Sequence, residues 1–229
     1  MARPKKVVEA GSPVVGKQEV QITAPRMRVA EFVITGTSPY VQQAWSKKAI
    51  QQIKDTQLAG QQAKSKKNRE PKDFIKCYEE SIHRSTEGWA GFPASAIRAA
   101  MISACRLVAF KMTLAKMSIF TEPDGFDAVD GQPLVKIIKG DPAYCEHMVR
   151  IQQTVDLRSR AMWQPGWQAL VRIRFDLDQF SLTDVTNLMH RVGAQVGLGE
   201  GRADSRSSTG MGWGFFSIEG RPEAANALV

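Results

Sequence analysis

The stretch from Gly197 to Gly220, GLGEGRADSRSSTGMGWGFFSIEG, holds seven glycines together with Arg202 and Arg206. Backbone without Cβ atoms can turn its N–H groups toward a phosphate, and guanidinium groups reinforce such a grip. The order of elements decides which phosphate. A dinucleotide loop needs a strand before its glycines and a helix after them, and a triphosphate loop needs GK followed by Ser or Thr. Here a helical pattern precedes the glycines, a strand pattern follows, and neither GKS nor GKT occurs. What remains is a sugar-phosphate backbone, with Gly199, Gly201, Arg202 and Arg206 as candidate contacts. The plainer alternative is a surface loop that holds nothing.

Acid–base chemistry has little to draw on. The histidines are His83, His147 and His190. His190 falls in a predicted helix beside its apolar face. His83, near Tyr78 and Arg84, is the candidate general base for cutting RNA without a metal, although the sequence offers it no partner. Cys77, Cys105 and Cys145 have no zinc spacing, and acidic residues do not pair at metal spacing, so neither a metal nor a cofactor is expected. The balance leans toward binding and away from catalysis.

Charge points the same way. Among 229 residues, 31 basic against 23 acidic side chains leave a net charge of +8, which favours polyanionic partners. Residues 1–24 read as a flexible basic arm, 25–220 as one domain, and 221–229 as a tail. Within the domain, residues 57–72 read as a mobile insertion whose Lys64, Lys66 and Lys67 would attract a polyanion. No run approaches the ~18 apolar residues of a membrane span, and the N-terminus lacks the apolar core of a signal peptide. Three widely spaced cysteines fit reduced thiols, so a cytoplasmic location without membrane contact is expected.

The elements that must position these groups follow from periodicity. RMRVAEFVITG reads as a strand, and a helical stretch around Trp45–Ile53 and a short helix DFIKCYEES follow. The spacing predicts a helix over about 95–113, with Ile97, Met101, Ile102, Cys105 and Val108 on one face. LVKIIKG is a short strand. The segments HMVRIQQTVDLRSRAMW and WQALVRIRFDL both alternate, with the turn QPGW between them, and predict one long hairpin. In that hairpin Arg150, Arg158, Arg160, Arg172 and Arg174 share one face, a basic stripe suited to phosphates. SLTDVTNLMHRVGAQV is a helix opened by Ser181 and Asp184, and GWGFFSIEG is the last strand. The main elements run strand, helix, strand, strand, helix, strand. The fold class is therefore α+β: a ferredoxin-like (RRM-like) βαββαβ antiparallel sheet with two helices on one face, plus a basic insertion and a long β-hairpin.

Three segments carry a resemblance. GFPASAIRAAMISACR resembles the run that opens the first helix in the RAMP superfamily, the repeat-associated, RRM-like proteins of CRISPR systems, with Pro93, Ser95, Arg98 and Arg106 at matching positions. GLGEGRADSRSSTGMGWGFFSI resembles the glycine-rich loop before their last strand, and GTSP (Gly36 to Pro39) the polar segment after their first. Ala94 and Ala99 stand where that family has glycines, and the chain is short for a CRISPR backbone subunit, so a phage or mobile-element relative fits equally. The resemblance implies a non-catalytic binder of single-stranded nucleic acid, RNA more than DNA, repeating along the strand beside copies of itself. It implies that Ser95 and Arg98 meet phosphates near a helix N-terminus and that Gly199, Gly201 and Arg202 cradle another. Trp45, Trp163 and Trp167 are candidates for stacking on bases. Two alternatives stay open: a metal-independent endoribonuclease using His83, and a viral structural or assembly protein.

Overall fold

The computed structural model describes residues 22–59, 71–151, 154–204, 210–219 and 224–225. Most of the expected arm (1–24), insertion (57–72) and tail (221–229), with Lys64, Lys66, Lys67, Arg206 and the Arg150 side chain, lies outside the described residues. Along the chain come β1 (Met27–Gly36), β2 (Tyr40–Gln42), α1 (Lys47–Ala59), α2 (Phe74–Glu80), β3 (His83–Arg84), β4 (Ala90–Pro93) and α3 (Ala94–Ala104). Next are α4 (Met112–Ser118), β5 (Ile119–Glu122), β6 (Gly125–Phe126), β7 (Pro133–Lys139), β8 (Ala143–Ile151), β9 (Thr154–Trp163) and β10 (Gln168–Asp176). The last are α5 (Leu182–Arg191), β11 (Phe216–Glu219) and β12 (Ala224–Ala225). No helix among the described residues is long and apolar enough to cross a membrane.

The larger sheet runs β11-β1-β10-β7-β4-β3, and its central pairs are antiparallel. β5 and β7 share the far edge of β10, β5 beside Arg172–Phe175 and β7 beside Gln168–Ala169. Taking β1, α3, β5, β10, α5 and β11 gives the α+β, ferredoxin-like order. Alternation explains the layer beneath. Ala30, Phe32 and Ile34 of β1 lie opposite Ile173, Val171 and Ala169 of β10, and all six are buried. Ile97, Met101 and Ile102 of α3 with Val185, Leu188 and Met189 of α5 complete one core cluster. At Ser181 the capping box is present: its hydroxyl accepts from the Asp184 N–H, and the Asp184 carboxylate accepts from the Ser181 N–H.

Two expectations are corrected. The helix over 95–113 is interrupted: a tight turn over Cys105–Val108 ends at Ala109, whose φ of 54° is left-handed, and α4 then sets off anew. That reversal brings Phe110 against Phe180, ring centroids 4.7 Å apart. The second correction concerns the hairpin. β9 pairs with β8 and β2 in a separate three-stranded sheet, whereas both edges of β10 are taken by β1 and by β5 and β7. The hairpin is thus β8/β9, joined after Ile151, and QPGW is a corner between sheets. The five-arginine stripe does not form, because Arg158 and Arg160 belong to one sheet and Arg172 and Arg174 to the other.

An aromatic cluster fills the corner. Tyr40 sits 5.6 Å from Trp163 and 5.4 Å from Trp167 between ring centroids, and all three are buried. Trp163 and Trp167 are therefore core residues closed to stacking on bases, whereas Trp45 is 54% exposed. Several glycines are packing devices here. A Cβ on Gly214, at φ +76°, would stand 1.9 Å from the Leu198 carbonyl oxygen. We expect Gly214→Ala to lose roughly 2–4 kcal/mol in urea unfolding, overpacking against backbone added to left-handed strain. Gly88→Ala, at φ +89° with nothing within 4 Å, should lose about 1 kcal/mol.

Candidate nucleic-acid interface

The glycine-rich segment folds down onto β2. The Glu200 N–H donates to the Val41 carbonyl at 2.8 Å, and Leu198 N–H to the Gly214 carbonyl at 3.1 Å. Gly214 N–H donates to the Pro39 carbonyl at 2.7 Å, joining the segment to GTSP. Gly199 and Gly201 adopt φ of +76° and +77°, and a Cβ at Gly199 would lie 2.2 Å from the Val41 carbonyl oxygen. Gly199 thus allows one backbone to lie against another, and Gly201 makes room for the Trp213 ring, 2.5 Å from where a Cβ would stand. The N–H groups of Gly199 and Gly201 find no acceptor among the described residues.

A cleft of about 560 Å³ opens between this segment, the start of α3 and the β8/β9 hairpin. Pro93, Ala96 and Ala99 form one wall, Gly199, Glu200, Gly201 and Arg202 another, and His147, Val149 and Arg158 the third. His83, Tyr40 and Gln42 reach it from beneath. The register of the hairpin places His147 opposite Arg158 and Cys145 opposite Arg160, so both arginines share the His147 side.

The arginines are engaged within the protein. Arg160 donates from Nε to Glu200 at 2.8 Å, from Nη2 to the Gln43 side chain at 2.9 Å and from Nη1 to the Ser159 carbonyl. Arg158 donates to the other Glu200 oxygen. Burial pushes the Glu200 carboxyl up, but Arg160 and Arg158 outweigh it and hold the group below its usual range. Arg202 donates to the Gly199 carbonyl at 2.9 Å and the Asp204 carbonyl at 3.1 Å. His147 is different: its side chain keeps 8% exposure, and neither ring nitrogen has a hydrogen-bond partner among the described residues. Burial lowers its pKa, partly opposed by the Glu200 charge.

Other expected contacts fall elsewhere. Ser95 is exposed on the first turn of α3, whose start has no side-chain cap. Arg98 caps the end of α4 through the Ile119 carbonyl (2.9 Å) and the Lys116 carbonyl, and Arg106 pairs with Asp204. Arg172 pairs with Asp124 and Arg174 with Glu122, on the sheet face away from the helices. His83 gains the partner the sequence did not show: its Nδ1 lies 2.8 Å from Asp127 Oδ2, and both side chains are buried. His147, Glu200, Gln43 and Asp127 were missed as a group. Only the carboxylate between two glycines, Glu200, was a visible signal.

No known family profile matches the sequence, and no curated protein matches it. Among solved structures, the chain is similar to one chain in the cryo-EM structure of the Type III-B Cmr-beta bound to cognate target RNA. The TM-score is 0.52 at 10% identity, over 89% of this chain and 62% of that one, so the match spans less than two thirds of the other chain. At that identity the likeness is one of fold.

The carboxyls of Glu200, Asp204 and Asp156 all sit below their usual range. The Ser103 hydroxyl and then Arg106 hold Asp204 down. Burial raises Glu200 and Asp156 but is outweighed by Arg160 with Arg158 at Glu200 and by Lys72 with Arg158 at Asp156. The folded chain therefore binds these protons less readily than the unfolded chain. Their stabilisation is full above the ordinary carboxylate pKa of about 4 and drains away as the pH falls below it. Glu200→Gln should show a smaller loss of unfolding free energy between about pH 5 and pH 3 than wild type. An unchanged pH slope in urea titrations would mean that Glu200 is not held as described.

Proposed function

We propose that the chain binds single-stranded nucleic acid, RNA in preference to DNA, through backbone phosphates in the cleft between the glycine-rich segment, α3 and the β8/β9 hairpin. The observation that carries this reading is that one cleft is lined by Gly199 and Gly201, whose N–H groups have no acceptor among the described residues, by the first half of α3, whose start has no side-chain cap, and by Arg158 and Arg202. The fold shared with a chain from an RNA-bound assembly supports it. So do three segments that resemble the RAMP superfamily. By that resemblance the protein repeats along the strand beside copies of itself. Ser95 lies exposed on the first turn of α3, next to the cleft-lining Ala96, while Arg98 supports the end of α4.

The test is anisotropy of a fluorescent oligouridylate across salt concentrations. Binding should weaken with salt, and Arg158→Ala should reduce affinity for all sequences alike and flatten the log–log slope by about 0.7. Arg172→Ala with Arg174→Ala should leave both unchanged, since these arginines are paired with Asp124 and Glu122 outside the cleft. The opposite pattern would move the interface to the open sheet face. A deoxyuridylate competitor of equal length measures the preference for RNA.

A second reading, a metal-independent endoribonuclease, is favoured by the His83–Asp127 pair. Asp127 fixes one ring nitrogen of His83, which leaves Nε2 as the candidate base toward a 2′-hydroxyl. It requires cleavage of end-labelled RNA in EDTA that disappears in His83→Ala. Intact RNA with wild-type protein eliminates it.

A further inference from the structure

We propose that Glu200 occupies the seat of a phosphate: one phosphodiester of a bound strand displaces the Glu200 carboxylate from Arg158 and Arg160 and accepts a hydrogen bond from His147. This rests on the RNA-binding reading and names the subsite within it.

The geometry of the three side chains motivates the assignment. The two carboxylate oxygens divide between the arginines, one facing Arg158 Nη1 and the other 2.8 Å from Arg160 Nε. Two non-bridging phosphate oxygens offer the same spread of acceptors, which is why guanidinium groups take either anion. Gln43 and the Ser159 carbonyl hold the rest of the Arg160 head, so it stays in place when its anion is exchanged.

His147 supplies the second, independent observation. Its ring is buried, lines the cleft and has no hydrogen-bond partner among the described residues, and its Nε2 is 3.7 Å from Glu200 Oε1. That distance is beyond an N–H···O bond. A buried polar group without a partner is costly to keep, and such groups recur where a ligand completes the bonding. A carboxylate is planar and reaches two partners here. Each non-bridging oxygen of a phosphodiester has more than one lone pair, so the oxygen that takes the place of Glu200 Oε1 can accept from His147 as well as from Arg158. Opposite on the hairpin, Val149 and Asp156 extend the same side, and Asp156 is held by Lys72 at 3.1 Å through one oxygen while the other faces Arg158 Nε at 3.6 Å.

Charge is conserved in the exchange. The cluster of Arg158, Arg160 and Glu200 carries two positive charges and one negative, and one phosphodiester replaces the one carboxylate. Glu200 is 17% exposed at the rim, so a change of side-chain rotamer returns it to water. Until that happens it competes with the ligand, and apparent affinity falls by the fraction of molecules whose site is open.

The experiment compares binding of a fluorescent oligouridylate to wild type and Glu200→Gln at equal salt. Affinity should rise about tenfold in the variant, the scale of one charge-assisted hydrogen bond. Equal or weaker binding by a folded Glu200→Gln, while wild type binds, would overturn the seat and leave the RNA reading intact. No binding by either protein would overturn both. A measurement on unmodified protein guards against a variant that does not fold. The ring nitrogens of His147, assigned with His147→Phe, should shift in long-range 1H–15N spectra as oligouridylate saturates the protein. Unmoved resonances at saturation would refute the contact.

Discussion

The corner where Gly36 meets Trp167 governs the arrangement of everything else. Gly36 N–H donates to the Trp167 carbonyl and Gly166 N–H to the Gly36 carbonyl, both at 2.8 Å. The Trp167 indole fills the space where a Cβ on Gly36 would stand, only 2.0 Å from that position. Two turns of the chain, GTSP and QPGW, are locked back to back by this contact. As a result β1 and β10 run into one sheet while β2 and β9 run into the other. The cleft lies along that division, with the glycine-rich segment bonded to both β2 and GTSP.

Electrostatics within the fold differ from what net charge suggests. A surplus of +8 invites a picture of a bare basic surface. Instead Arg158, Arg160, Arg172 and Arg174 each face a carboxylate, and Arg98 and Arg202 serve backbone carbonyls. Partly buried guanidinium groups need such acceptors, because desolvation without a partner is prohibitive. A binding surface built from such groups works by exchange: an incoming phosphate replaces an internal anion. This shifts attention from how many arginines there are to which of their partners can leave.

Fold survives far greater divergence than contacts do. At 10% identity the chain still matches a chain from an RNA-bound structure over 89% of its own length. Within this chain the fold rests on the alternation of β1 and β10 and on two helices packed against one face of the sheet. These are requirements of packing and of backbone approach, which many sequences meet. Side-chain contacts answer to no such general rule.

The sequence by itself determined the capping of α5 by Ser181 and Asp184 and the apolar faces of β1, α3 and β10. Each is set by neighbours a few residues apart, so local periodicity records it. The second strand of the strand–helix–strand–strand–helix–strand order, read as LVKIIKG (β7), is instead β5 in the pairing with Arg172–Phe175 of β10. Only the tertiary structure decided that β9 abandons β10, that Trp163 and Trp167 are core, and that His83 finds Asp127 while His147 stands 3.7 Å from Glu200. Strand pairing is a competition among all edges, and the alternation of β9 reads the same whichever partner wins. The pairing of Glu200 with Arg158 and Arg160 reaches across 42 and 40 positions of the chain. No local pattern encodes a distance of that kind; it exists only once the glycine segment has settled on β2.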